Sequence, residues 1–250
     1  MGKKLRRSGA GPALSQALAA RVAAKAGALH HGPSTERTVF FSDAVFAIAM
    51  TLLVLDLKPP ELPDGAPAAA VQDALLEDVP ALAAFMLSFA LVGATWINHH
   101  RRFKAIAAYN GTLQSINLVV LFFVAFLPVP TALLFQTSSE SPWPPALYAL
   151  TVVGIFVSLN WLWRYARTAS LMEPSVDEPL YRLVLWGNGP VWVVFLLSIP
   201  VAFINPTAAT YCWILIWPLS QLHGRWACKR FAAAEAAALR AEETGPAPSA

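Results

Sequence analysis

Charged residues are scarce in this 250-residue chain: Asp, Glu, Lys and Arg make up 13% of it, against 56% for hydrophobic residues. A soluble globular domain carries about 25% charged residues, so this composition excludes an ordinary water-soluble fold. The chain has only two cysteines, Cys212 and Cys228. On one helix they would lie about 24 Å apart, which excludes a disulfide between them. The net charge of +3 gives no indication of a nucleic-acid partner.

Motifs of catalysis and of metal binding are lacking as well. The sequence has no phosphate-binding loop, no cluster of metal ligands and no serine nucleophile motif. His99 and His100 are adjacent, and adjacent residues on a helix point about 100° apart, so one metal ion cannot easily take both. We therefore expect no enzymatic activity, no metal site and no cofactor.

Long apolar runs are what the chain has instead. A helix that crosses the ~30 Å hydrocarbon core of a membrane needs about 20 mostly apolar residues. The sequence therefore predicts an all-α integral membrane protein with six transmembrane helices per subunit. No span closely repeats another, so a symmetric pore would need several chains. The predicted spans are 38–57, 79–98, 113–135, 144–166, 182–204 and 207–227.

Basic residues are distributed unevenly along the chain. Residues 1–35 contain no acidic residue, and seven Lys and Arg occur up to Arg37. The connections after the second and fourth spans and the C-terminal end are also basic, whereas the other two long connections carry a single lysine, Lys58. Since cytoplasmic segments are enriched in Lys and Arg, both termini are expected in the cytoplasm, with the protein in the cell membrane. The start of the chain could form a basic amphipathic helix on an anionic membrane surface, and it also resembles a transit peptide.

These features predict three regions. A basic cytoplasmic N-terminal segment covers 1–34, a six-helix membrane domain covers 35–230, and a cytoplasmic tail covers 231–250. The partners implied by composition alone are membrane lipid and no nucleic acid.

The first span carries polar groups that a lipid-facing helix would not need. A carboxylate such as Asp43 is costly in the membrane and normally faces protein or water. At about 100° per residue, Ile48, Leu52 and Leu55 fall within about 60° of arc, and Asp43 points about 140° away from Ile48. Arg37 and Asp43 do not share a face, so each is expected to pair with another helix or subunit. Periodicity alone leaves the aliphatic stripe open to ordinary packing or lipid contact.

Two blocks of sequence resemble a known family. The segment RTVFFSDAVFAIAMTLLVLDL resembles the first-helix signature, an Arg, three residues and then Phe-Ser-Asp, of prokaryotic relatives of the endosomal and lysosomal potassium channel. The segment WINHHRRFKAI, followed by NLVVLFFVAFLPVPTALL, resembles the same family's Trp-x-x-His-His pattern and its Asn-Leu … Phe-Leu-Pro-x-Pro-Thr run. The resemblance covers residue 37 to about residue 135.

The resemblance implies a homotetramer that conducts K⁺ passively through a pore lined by the first helices. The usual potassium-filter sequence TVGYG is not expected in this family and is absent here. At Asn110 the chain departs from the Asp that many members have seven residues before their Asn. The resemblance assigns an aliphatic pore constriction to Ile48, Leu52 and Leu55 and a selectivity hydroxyl to Thr51. It assigns a network that holds the pore helix to Arg37, Phe41, Ser42, Asp43, Trp96, His99, His100 and Asn117.

Two other functions stay open at this stage. One is a proton-coupled secondary transporter with Asp43 as its proton site, against which the lack of internal repeats weighs. The other is an intramembrane enzyme that uses Asp43 with His99 or His100, against which the lack of a nucleophile or metal set weighs.

Overall fold

The computed structural model describes residues 35–55, 57, 62–136 and 140–243, which are helical apart from short connections and one isolated bridge between Ile106 and Met172. The predicted all-α class is confirmed. The segment 1–34 lies outside the described residues, as do residues 244–250 of the predicted tail. The described helices are α1 (Thr35–Leu55), α2 (Ala68–Glu77), α3 (Val79–Lys104), α4 (Gly111–Phe126), α5 (Pro128–Gln136), α6 (Trp143–Thr168), α7 (Glu178–Trp186), α8 (Gly189–Ile204), α9 (Pro206–Cys212) and α10 (Ile216–Glu243).

Five stretches of the described chain are long and apolar enough to cross a membrane, and they match the first five predicted spans. The third combines α4 with α5, and the fifth combines α7 with α8. The sixth predicted span, 207–227, is helical but divided by a short 3₁₀ turn, Trp213–Leu215, between α9 and α10. α10 runs on through residues 230 and 231 to Glu243 and carries Arg225, Lys229 and Arg230, so it is much less apolar than the other spans. A sixth crossing therefore stays a prediction.

The third span is interrupted at a proline. Pro128 has no N–H, so the carbonyl of Val124 loses the donor that would come four residues later in a regular helix. The N–H of Leu127 bonds to the Val124 oxygen at 3.3 Å and also to the Phe123 oxygen at 3.1 Å. The helix is interrupted at Leu127, and α5 follows directly at Pro128.

The fifth span is interrupted for the same reason. Gly187 and Asn188 separate α7 from α8, and Pro190 leaves the carbonyl of Trp186 without its helical donor. The Nε2 of His223, on α10, lies 2.9 Å from that oxygen and supplies the missing hydrogen bond. This bond attaches α10 to the end of α7, where the fifth span is interrupted.

The core of the subunit is built around α6. In its most apolar 18-residue window, 61% of the residues are buried. α6 packs mainly on α4 and α8, and α4 approaches closely because Gly154 has no side chain: a Cβ there would lie 2.5 Å from the ring of Phe123. α1 is placed on the side of this core and packs on α3 and α4.

Candidate functional site

The two sides of α1 differ sharply in burial. Five residues spaced three or four apart form a buried face, which α3 and α4 cover; they are Thr38, Ser42, Phe46, Ala49 and Leu53. At about 100° per residue these side chains span roughly 80° of arc. Most of the rest of the circumference is exposed in the single chain.

The predicted constriction residues all lie on the exposed side. Ile48 is 57% exposed, Leu52 41% and Leu55 70%, whereas Leu53 between them is fully buried. Phe41 belongs to the same stripe and is also exposed. The described part of the chain leaves the stripe uncovered.

Thr51 lies beside this stripe with its hydroxyl hydrogen already engaged. Its Oγ1 donates to the carbonyl oxygen of Ile48 at 2.8 Å. A threonine hydroxyl has one hydrogen and two acceptor lone pairs, so the oxygen of Thr51 is left to act as an acceptor on the exposed side. An acceptor oxygen can contact a cation or a water molecule.

A chain of buried side-chain bonds fastens α1 to two other helices. The Ser42 hydroxyl donates to the Thr38 carbonyl at 2.8 Å and accepts from Asn117 Nδ2 at 3.0 Å. The amide oxygen of Asn117 lies 2.8 Å from Nε2 of His99. Because that oxygen can only accept, Nε2 of His99 carries a proton. The signature residue Ser42 thus connects α1 through α4 to α3.

A second connection is made at Asp43. Its Oδ1 accepts a hydrogen bond from the indole Nε1 of Trp96 at 2.8 Å. The Trp96 ring in turn stacks on His100, with ring centroids 5.8 Å apart and an interplanar angle of 28°. Asp43 therefore finds its partner on another helix of the same chain, and Trp96 packs against the first-helix signature.

Arg37 is exposed at the start of α1. The ion pairs among the described residues join Glu178 to Arg167 and to Arg182, so neither Arg37 nor Asp43 takes part in one. Of the signature residues, the structure brings Ser42, Asn117 and His99 together and Asp43, Trp96 and His100 together, while Arg37 and Phe41 point outwards.

Asn110, the departure from the family pattern, has two local partners. Its Oδ1 accepts from the backbone N–H of Leu113 at 2.8 Å and so caps the start of α4. Its Nδ2 donates to the hydroxyl of Tyr165 on α6 at 2.9 Å, a bond that an ionised Asp could not donate. Burial raises the pKa of nearby Tyr109 above its usual range, so that phenol stays neutral.

Sequence reasoning missed Arg102 as a buried residue and treated it as part of a basic connection. It is 1% exposed, with its Nη2 2.9 Å from Asn160 Oδ1 on α6 and 3.3 Å from the carbonyl of Val184 on α7. The guanidinium also lies over the ring of Trp163 at 5.9 Å. Arg102 thus joins α3 to α6 and α7 without a carboxylate among these partners.

The side chains of α1 are suited to lining a passage rather than to catalysis or metal binding. Within the described ranges, no group of three or more His, Cys, Asp or Glu could hold a metal ion. The exposed side of α1 offers aliphatic side chains beside one hydroxyl oxygen, and its opposite side is fixed by hydrogen bonds. Such a helix can form one wall of a narrow passage if further copies supply the remaining walls.

Comparisons with known proteins match ion channels. The model of a family described as endosomal/lysosomal potassium channel TMEM175 matches residues 37–128, the stretch that contains α1, α3 and α4. A potassium channel of Streptomyces collinus is 40% identical over 150 residues, which are 58% of this chain and 71% of that protein. A potassium channel of Chamaesiphon minutus is 35% identical over 171 residues, which are 66% of this chain and 84% of that protein.

A solved structure has the same fold. The crystal structure of a lysosomal potassium-selective channel TMEM175 homolog from Chamaesiphon minutus superposes with a TM-score of 0.64. The superposition covers 77% of this chain and 99% of that one, at 28% sequence identity.

Proposed function

This chain belongs to the TMEM175 family, and we propose that it is a potassium-selective channel that conducts K⁺ passively through a pore lined by α1. The family is one of ion channels rather than enzymes, as the sequence predicted. The observation that carries the proposal is the asymmetry of α1: one face is fastened to α3 and α4, and the other presents an aliphatic stripe beside an acceptor oxygen.

The pore would be formed by four copies of the chain. One subunit offers a single exposed α1 face, and the sequence has no internal repeat that could supply a second. In a homotetramer the four Ile48 side chains meet at the axis and close it by contact and by expelling water. Leu52 and Leu55, about one and two turns further along, form supporting rings, and Thr51 supplies oxygens next to them.

Proton-coupled transport with Asp43 as the proton site is the alternative. Asp43 lies about 140° from Ile48 around α1 and is bonded to Trp96, which favours a role in holding α1 rather than in the ion path. A carrier saturates and couples its flux to protons, whereas a channel passes K⁺ down its gradient alone. Proton-coupled K⁺ uptake that disappears in a normally assembled Asp43→Asn variant would establish the carrier.

Six crossings with both termini in the cytoplasm complete the proposed arrangement. Residues 1–34 and 231–250 would then lie on the cytoplasmic side of the cell membrane, and the connection after α1 on the opposite side. Cysteines placed at Pro67 and at Ser8 should differ in labelling by a membrane-impermeant reagent on intact cells, with only the first labelled. Equal labelling would reject this orientation.

Substitution of Ile48 tests the pore directly. Ile48→Asn keeps a similar size but lets water wet the constriction, so it should raise resting K⁺ efflux from liposomes that contain the purified protein. The matched control is Val54→Asn, since Val54 is also exposed on α1 but lies about 120° from Ile48. It should leave efflux at the wild-type level. If Ile48→Asn assembles normally and conducts like wild type, the stripe is packing surface and α1 does not constrict the pore.

A further inference from the structure

A groove separates α10 from the two helices of the fifth span, α7 and α8. It consists of two adjoining cavities of about 470 and 720 Å³, which share His223 and Trp226 in their walls. α7 and α8 form one side of the groove and α10 forms the other. The bond from His223 to the carbonyl of Trp186 crosses between the two sides and fixes their distance.

The smaller cavity is apolar. Its walls include Pro190 and Val193 on α8 and Leu219 and Leu222 on α10. Val193 and Leu222 are themselves exposed, so hydrocarbon from the membrane can enter from the side. These walls offer almost no hydrogen-bonding groups and suit an acyl chain.

The larger cavity has a basic rim. Arg182 and Arg230 line it from opposite sides, and Arg230 also lies over the ring of Trp226 at 4.4 Å from the ring centroid. Glu178, the one carboxylate among its described lining residues, bonds to Arg182 at 2.6 Å and also to Arg167 at 3.1 Å. Two arginines therefore share that single carboxylate, while Arg230 adds a further positive charge, so the rim keeps a net positive charge.

We propose that this groove binds one anionic phospholipid, with its phosphate between Arg182 and Arg230 and one acyl chain along Val193, Leu219 and Leu222. Guanidinium groups match phosphate oxygens in shape and charge, and basic pockets between membrane helices are recognised sites for anionic headgroups. Trp186 and Trp226 at the mouth are both half exposed, as is typical of tryptophans at the level of the headgroups. The charge of the rim favours a lipid over a second copy of this chain, because the same basic rim on another copy would repel it.

The test is lipid binding to the purified, detergent-solubilised full-length protein, measured by native mass spectrometry. The probes are dioleoylphosphatidylglycerol and zwitterionic dioleoylphosphatidylcholine. Wild type should prefer phosphatidylglycerol, and the double variant Arg182→Gln/Arg230→Gln should bind it about 30-fold more weakly, because each arginine near a headgroup contributes about fivefold. Arg164→Gln/Arg225→Gln is the matched control, since both arginines are exposed but lie outside the groove. It should leave the preference unchanged.

A second variant examines the apolar part. Val193→Trp fills the smaller cavity and should weaken binding of phosphatidylglycerol while the protein keeps its assembly state. Inorganic phosphate, added as a headgroup without chains, should not compete. Equal binding of the two lipids by wild type would overturn the proposal, and so would effective competition by phosphate, which would mean an anion site without an acyl chain. A smaller assembly for Val193→Trp with lipid binding intact would instead make the groove a contact between copies.

Discussion

α6 and α1 are both apolar helices of membrane-spanning length, yet they are used in opposite ways. In their most apolar 18-residue windows, 61% of the residues of α6 are buried within the subunit but only 28% of those of α1. In a membrane this difference does not follow from hydrophobicity, because lipid tails are as apolar as leucine side chains. The fraction of a helix that is buried within one chain therefore tells which helices form its scaffold, such as α6, and which leave surface for lipid or for other copies, such as α1.

The two helices also differ in how much packing holds them. Both are joined to other helices by side-chain hydrogen bonds, α6 through Asn160 and Tyr165 and α1 through Ser42 and Asp43. α6 adds dense packing, with Gly154 admitting the ring of Phe123, whereas the buried face of α1 is narrow. Hydrogen bonds fix the rotation of a helix about its own axis, which apolar contacts alone fix poorly. A helix that must present a particular stripe needs that rotation fixed.

The largest effect is expected from the buried face of α6. Leu159→Ala should lower the free energy of unfolding by about 2–5 kcal/mol, because the lost packing contacts leave a cavity that lipid cannot fill. The matched control is Leu150→Ala on the exposed side of the same helix, which should cost under about 1 kcal/mol. Denaturant or thermal unfolding of the purified protein measures both. Equal losses at the two positions would remove the distinction between the scaffold face and the lipid-facing side of α6.

An intermediate effect is expected where α1 is fastened. Asp43→Ala and Trp96→Phe each remove the same bond and should each cost about 1–2 kcal/mol, with a smaller share of the proposed tetramer on size exclusion. The double variant should lose less than the sum of the two, since the bond can be broken only once. Trp161→Phe, at an exposed tryptophan of α6, is the control for the change of ring.

Two results would contradict that account of Asp43. Strict additivity in the double variant would mean that the two residues stabilise the protein independently. A stable, normally assembled Asp43→Ala protein with altered preference for K⁺ over Na⁺ would place Asp43 in the ion path.

Much of the fold follows from the sequence, because a span needs only length and hydropathy. The five spans found among the described residues lie where apolar runs predicted them, and the interruption before Pro128 follows from a missing N–H. The segment 207–227 shows the limit of this reasoning. Its average composition suggests one helix, but Pro218 leaves the carbonyl of Ile214 without its helical donor, and a 3₁₀ turn lies at Trp213–Leu215. The indole of Trp213 also bonds to Ser198 on α8 at 3.0 Å, a tertiary contact that composition does not reveal.

For the candidate site, the sequence predicted which face of a helix a residue occupies better than it predicted the hydrogen-bond partner of that residue. Spacing placed Ile48, Leu52 and Leu55 on one side of α1, but the resemblance placed Trp96 in the network without naming its partner, and only the tertiary structure shows its bond to Asp43. Arg102 could have been found. The buried residues of α3 recur at alternating intervals of four and three and include Ser88, Val92, Thr95, His99 and Arg102. The spacing of Arg102 was not considered, because the basic HHRRFK segment that contains it was assigned to the connection after the second span, outside the membrane.

The smallest effect on stability, and the sharpest on function, is expected at Thr51. Within the described part of the chain its hydroxyl bonds only to the backbone of its own helix, and its side chain is exposed, so Thr51→Val should change the free energy of unfolding by less than about 0.5 kcal/mol. The substitution keeps the shape but removes the acceptor oxygen beside the aliphatic stripe. We expect the K⁺ over Na⁺ preference, measured from reversal potentials in planar bilayers, to fall while total conductance changes less. Thr51→Ser keeps the hydroxyl and should keep the preference. A wild-type preference in a folded Thr51→Val channel would show that this oxygen does not contact the permeant ion, and selectivity would then have to come from the width of the aliphatic rings alone.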